Sequence, residues 1–246
     1  MFTDTQVVVF ASQKGGSGKT TLAGHVAIQA QRSGAGPIGL IDTDPQASLA
    51  QWHAARVADV PTLLKSTPEE IANEISRLRD LGTRLVFIDT PPAASRAICE
   101  TVRFADLVVV PTRPSPHDLR AVGATVDIVE QFAKPLVFVV NSGTARARIT
   151  SEAAVALSQH GTVAPVTIHH RVDFAASMID GRTVMEHDPS SRSAAEIGQL
   201  WEYLLQRLQK LRAAGVSTEE TVAQHPAFGG ALWRHAPAFG RRAVAG

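Results

Sequence analysis

At 246 residues, 44% of them hydrophobic, the chain is long enough to bury a sizeable core, which excludes disorder along its whole length. Its 24 Lys and Arg nearly balance 23 Asp and Glu, so no whole-molecule field draws it to nucleic acid or a membrane, and any such binding needs a local patch. The single cysteine, Cys99, excludes an internal disulfide and a thiolate metal cluster, and no apolar run reaches the length of a membrane span.

The chain enters an apolar run of strand length, Val7-Val8-Val9-Phe10-Ala11, without the basic and apolar regions of a signal peptide, so a cytoplasmic protein is expected. A Gly-rich segment follows and leads into a helix beginning near Thr20. The second run, Ile38–Ile41, ends in Asp42-Thr43-Asp44-Pro45-Gln46, with a helix from Ser48. Thr67-Pro68-Glu69-Glu70 reads as an N-cap, a first-turn proline and a capping-box glutamate, opening a helix that Gly82 ends. Leu85–Ile88 runs into Asp89-Thr90-Pro91-Pro92, and Leu107–Val110 into Pro111-Thr112-Arg113-Pro114-Ser115-Pro116, with Asp118 expected to cap the next helix. Leu136–Val140 closes on Asn141. A weaker strand candidate, Val163–Ile168, contains Pro165, which suits an edge or an end.

Ser193 and Glu196 read as a second capping box, opening a helix with Ile197, Leu200, Trp201, Leu204, Leu205, Leu208 and Leu211 on one face. Beyond Gly215 the periodicity fades, which gives a domain over residues 1–214 and a loosely ordered tail over 215–246. Apolar runs without alternation mean strands buried on both faces, and their alternation with helices predicts an α/β fold: a mostly parallel, twisted sheet with helices on both faces.

The segment Lys14-Gly15-Gly16-Ser17-Gly18-Lys19-Thr20-Thr21 lies between a strand and a helix, where backbone N–H groups and the helix N-terminus can surround phosphate. In the general phosphate-loop pattern Lys19 reaches the β and γ phosphates of ATP and the Thr20 hydroxyl ligates Mg²⁺. Asp42 and Asp44, two residues apart on an extended segment, point the same way, so both can address Mg²⁺ or water; alternatively they cap the helix from Ser48. Asp89, after four apolar residues, has the setting of a metal-binding aspartate at a strand end.

The usual pattern has Gly six residues before the lysine, where this chain has Gln13, followed by the additional Lys14. With the Asp42–Gln46 and Asp89–Pro92 motifs in that order, the chain resembles the ParA/MinD class of deviant-Walker ATPases over roughly Gln6 to Leu211, and most closely its small ParA-type partition members. The resemblance implies that Lys14 crosses a nucleotide-dependent homodimer to the partner's nucleotide, much as an arginine finger does. It further implies that Asp44 orients the attacking water, that Asp42 lies nearer the metal, and that Asp89 holds Mg²⁺ through water. Asn141 would read the adenine edge, although an Asn that simply stops a strand is equally consistent.

At the level of task, the resemblance implies slow, partner-stimulated ATP hydrolysis, DNA binding without sequence preference, a ParB-like or other adaptor, and nucleoid association in the ATP state. Arg207, Lys210 and Arg212 at the end of the last helix are candidate DNA contacts, with Arg146, Arg148, Arg171, Arg182 and Arg192 in the later loops; a solvated face with cations at a helix C-terminus is the alternative. An ATP-switched positioning factor for a protein cluster or a DNA-transfer complex fits the same motifs. A MinD-like membrane cycler would need a basic amphipathic C-terminal helix, but Phe228, Leu232, Trp233, Phe239 and Arg241-Arg242 are interrupted by Pro226, Pro237 and Gly229-Gly230, so a membrane is not expected as a partner.

Overall fold

The computed structural model describes residues 5–92 and 95–215. The expected tail falls almost wholly outside these residues. In chain order the elements are β1 (Gln6–Phe10), α1 (Lys19–Arg32), β2 (Ile38–Asp42), α2 (Ser48–Ala54), β3 (Thr62–Lys65), a 3-10 turn (Pro68–Glu70) continuing into α3 (Ile71–Asp80), β4 (Leu85–Asp89), α4 (Ser95–Val102) and β5 (Leu107–Thr112). There follow α5 (Pro116–Gln131), β6 (Leu136–Gly143), α6 (Arg148–Ser158), β7 (Thr162–Val163), β8 (Ile168–His169), α7 (Val172–Met178), α8 (Val184–His187) and α9 (Arg192–Ala213). No helix among the described residues is long and apolar enough to cross a membrane.

The strands run parallel in the order β3-β2-β4-β1-β5-β6-β7, with β8 added to β6 past a bulge between Asn141 and Gly143. Each apolar run is buried on both faces, and its residues divide with period two. Val8 and Phe10 of β1 join the core under α1 and α9, with Leu22, Val26, Trp201 and Leu204. Val7 and Val9 join the opposite core under α3, α4 and α5, with Leu78, Ile98 and Val126. The register brings three strand ends level at the carboxyl edge, Phe10 opposite Asp89 and Asp42 opposite Asp89, so the motifs that follow β1, β2 and β4 converge there.

Several local expectations are corrected. Ser191, not Ser193, caps α9 by accepting a hydrogen bond from the Ala194 N–H at 3.1 Å. Ser193 is fully buried, and Glu196 is drawn away from the helix end by Arg171 and His169. Ser115 rather than Asp118 caps α5, its hydroxyl oxygen accepting from the Asp118 N–H, while the Asp118 carboxylate pairs with Arg113. At Thr67 no side-chain cap bond forms, because the chain first makes a 3-10 turn and only then α3. The single strand expected over Val163–Ile168 is two short strands, since Pro165 offers no N–H to continue the ladder.

Candidate functional site

Gly15, Gly16, Gly18, Lys19, Thr20 and Thr21 line a cleft of about 670 Å³ at the carboxyl edge of the sheet, with Asp44 on its wall. The loop's shape depends on residue choice at Gly18, whose φ of 98° lies in the left-handed region. A Cβ there would stand 2.0 Å from Asn141 Nδ2, so only glycine fits. That amide donates to the Ser17 carbonyl at 2.7 Å, and Asn141 is buried. Asn141 therefore braces the phosphate loop through its amide nitrogen, and β6 runs past it to Gly143 in place of stopping there. Ser17 also turns inward, its hydroxyl buried without a hydrogen-bond partner.

The Thr20 hydroxyl donates to Asp89 Oδ2 at 2.5 Å, while Asp89 Oδ1 is buried with no partner. The Asp89 carboxyl is pushed up to about 7, first by burial, with the neighbouring Asp42 and Asp44 charges adding and the Thr20 bond and Lys19 opposing. Lys19 is buried, which lowers its ammonium below the usual lysine range, while Asp89 and Asp44 pull it back. A buried carboxylate oxygen without a donor, beside a threonine hydroxyl, suits a hard cation with oxygen ligands.

The two aspartates at the end of β2 differ in setting, Asp42 buried and Asp44 half-exposed. Asp42 is buried, its Oδ1 accepting from the Asp44 N–H at 3.0 Å and its Oδ2 from the Ala50 N–H at 2.9 Å. It folds the loop and caps α2, as the helix-capping alternative expects, and it stands opposite Asp89 across the β2–β4 pair. Asp44 is half-buried in the cleft wall and accepts from the Gln46 N–H. Thr43 ties the two motifs together, its N–H and hydroxyl both donating to the Asp89 carbonyl. Lys14 is half-buried at the start of the loop, its N–H bonded to Ser12 Oγ.

A family model described as the CobQ/CobB/MinD/ParA nucleotide binding domain matches residues 8–184. The chain belongs to the MinD/ParA family. This ParA-family chain is 30% identical over 202 residues to the maintenance of carboxysome distribution protein A of Halothiobacillus neapolitanus, covering 77% of this chain and 92% of that protein. It is 27% identical over 241 residues to the chromosome-partitioning ATPase Soj of Thermus thermophilus, covering 82% and 96%. Its fold matches the cell division ATPase MinD of Pyrococcus furiosus with a TM-score of 0.69 over 83% of this chain and 100% of that one, at 17% identity. A nucleotide is therefore its cofactor, and the cleft over the phosphate loop is where the family's motifs gather.

Beyond the loop, the ParA-family cleft is completed by Ser48, Gln51, Trp52 and Ala55 of α2 and its flank, Pro92, and Met178 and Ile179 at the end of α7. Ser48 and Pro92 belong to stretches the sequence marks, while Gln51, Ala55, Met178 and Ile179 carry no motif of their own. The candidate DNA residues lie apart from this cleft. Gln6 at the start of β1 donates to the Leu208 carbonyl of α9, which places Arg207, Lys210 and Arg212 at the opposite, amino edge of the sheet. Of the arginines expected in loops, Arg148 opens α6 and Arg192 opens α9; Arg171 is paired with Glu196, Arg182 with Asp180 and Arg148 with Glu152.

Proposed function

We propose that this ParA-family ATPase is a nucleotide-switched positioning device that dimerises on MgATP, holds DNA without sequence preference on the nucleoid, and lets go when an adaptor of the ParB kind stimulates hydrolysis. The observation that carries the reading is the Thr20–Asp89 pair under a loop that presents Lys19 inward and Lys14 at its start. Lys19 and the loop amides would neutralise the β and γ phosphates, and Thr20 with Asp89 would hold Mg²⁺. Asp44, on the cleft wall, would orient the attacking water, while Lys14 of the facing subunit supplies positive charge where the γ-phosphate develops it.

Sedimentation with saturating ATP and magnesium tests this directly: the wild type should move to a dimer, and Lys14→Ala should remain monomeric while still gaining thermal stability from the nucleotide. A wild-type protein that stays monomeric under those conditions ends the proposal.

A second cargo class is favoured by the similarity spanning 92% of a carboxysome distribution protein. On that reading the cargo is a protein assembly in place of a plasmid or chromosome. Pull-down with Asp44→Ala, trapped with ATP, separates the two. Recovery of a DNA-site-binding adaptor marks DNA partition, and recovery of assembly proteins alone marks positioning of a protein cluster.

A further inference from the structure

Arg113, the residue immediately after β5, is used by none of the motifs above. Its guanidinium is anchored side-on: Nε donates to Asp118 Oδ1 at 3.0 Å and Nη2 to Asp118 Oδ2 at 3.4 Å. Asp118 is itself a fixed post, 4% exposed at the first turn of α5, and receives the Ser115 hydroxyl on the same carboxylate. With two nitrogens committed, Nη1 is the free corner of the fork, and it lies 3.8 Å from where a Cβ on Gly16 would sit. Gly16, with φ of 71°, is the exposed tip of the phosphate loop and lines the cleft. The arginine side chain keeps 40% of its surface open, so it can gain a ligand without first breaking its anchor.

This arrangement differs from a solvated surface arginine in two ways. Its position is set from the β5–α5 connection, an element separate from the loop it touches, and β5 pairs directly with β1 so that the two connections rise side by side. The entropy of fixing a long side chain has also been met in advance by Asp118, and an anchored planar fork binds phosphate oxygens better than a mobile one. Arg113 thus adds a cation from outside the loop to the one the loop itself carries in Lys19. A triphosphate carries more charge at its far end than a diphosphate, so a cation at the tip discriminates between the two.

We propose that Arg113 is a triphosphate-reading residue, contacting the terminal phosphate group of the nucleotide bound in its own subunit and thereby setting preference for ATP over ADP. The inference rests on the reading of the cleft as an ATP site and deepens it. Arg113→Gln should weaken ATP binding about tenfold while changing ADP binding less than twofold, the loss of one charge-assisted hydrogen bond to the third phosphate. Arg113→Lys, which keeps the charge but not the side-on anchor, should fall between.

Both nucleotides are to be titrated by calorimetry, with melting temperatures recorded for the nucleotide-free proteins. Equal losses for ATP and ADP, or a loss that tracks a lowered melting temperature, overturn the proposal in favour of a prop for the loop. The measurement is repeated in a Lys14→Ala background: persistence of the ATP-specific loss supports contact within one subunit, and its disappearance overturns that assignment in favour of the partner's nucleotide. A wild-type chain that binds no nucleotide would defeat the ATP-site reading itself, whereas wild-type binding with an unaltered Arg113→Gln would defeat only this inference.

Discussion

At the scale of single residues, the site is defined by what burial does to two titrating groups. Asp89 has a carboxyl pushed up to about 7, against an ordinary aspartate near about 3.9, so between those values the folded chain binds a proton that the unfolded chain does not. Stability of the nucleotide-free protein from this group therefore falls as pH rises from about 4 to about 7. His25 works in the opposite sense. Buried on α1 with Nδ1 against the Thr21 carbonyl, its ring is lowered to about 4 by burial, so the unfolded state binds the extra proton and stability rises with pH through that window. The two slopes offset each other below about 6.5, leaving that of Asp89 unopposed near neutrality. A divalent cation beside Asp89 favours its ionised form and must expel the proton. Calorimetry at pH 7 in two buffers of different ionisation enthalpy should thus show proton release on MgATP binding, and Asp89→Asn should abolish it. Identical heats in both buffers for the wild type would show that Asp89 is ionised before the metal arrives.

At the scale of elements, α2 is held at both ends, and only the first of the two holds is marked in the sequence. Its first turn is capped by Asp42, and its far end is clasped to α8 through Arg56, whose guanidinium takes both oxygens of Glu186, reaches the Gly181 carbonyl at 2.6 Å and lies over the Trp52 ring. Trp52 adds a bond from Nε1 to the Arg182 carbonyl. Arg56 is 4% exposed, so removing its charge strands a carboxylate whose remaining partners are in Thr183. Arg56→Met should cost about 2 kcal/mol in urea unfolding with an unchanged denaturant slope, less than for a fully buried unpaired ion because Glu186 keeps part of its surface open, and Arg56→Met with Glu186→Met should recover part of it.

The same clasp shows why the sequence was unevenly readable. β1, β2, β4, β5 and β6 stood out because burial on both faces demands uninterrupted apolar residues. β3, a half-exposed edge strand of Thr-Leu-Leu-Lys, and α7 and α8, of 7 and 4 residues, are set by tertiary contacts such as the clasp and carry no period long enough to see. Asp42 was legible as a helix cap because its partners Asp44 and Ala50 are near in sequence, whereas the reach of Asn141 to the Ser17 carbonyl depends on a neighbour far along the chain.

At the scale of the molecule, the nucleotide cleft and the basic end of α9 lie at opposite edges of the sheet. β1 alone, 5 residues of parallel strand, separates them by about 17 Å. ATP in the cleft therefore cannot create the DNA patch by touching it. In the proposed dimer the carboxyl edges face each other and the two α9 ends point outward, so nucleotide would control DNA binding by joining two weak patches into one body. Avidity of that kind multiplies affinity without a new contact. Lys210 is exposed there, Arg207 half-buried, and Arg212 borders a groove of about 290 Å³ with Trp201 and Arg84. Binding to random duplex DNA should then be far stronger for the ATP-loaded dimer than for Lys14→Ala. The slope of log affinity against log salt should shrink by about 0.9 for each phosphate contact removed when Arg207, Lys210 and Arg212 are changed to alanine. Arg171→Ala should leave the slope alone, since that charge is already spent on Glu196. A slope that ignores the three α9 substitutions but falls with the loop arginines would move the DNA surface to the other edge of the sheet, where the cleft could govern it directly.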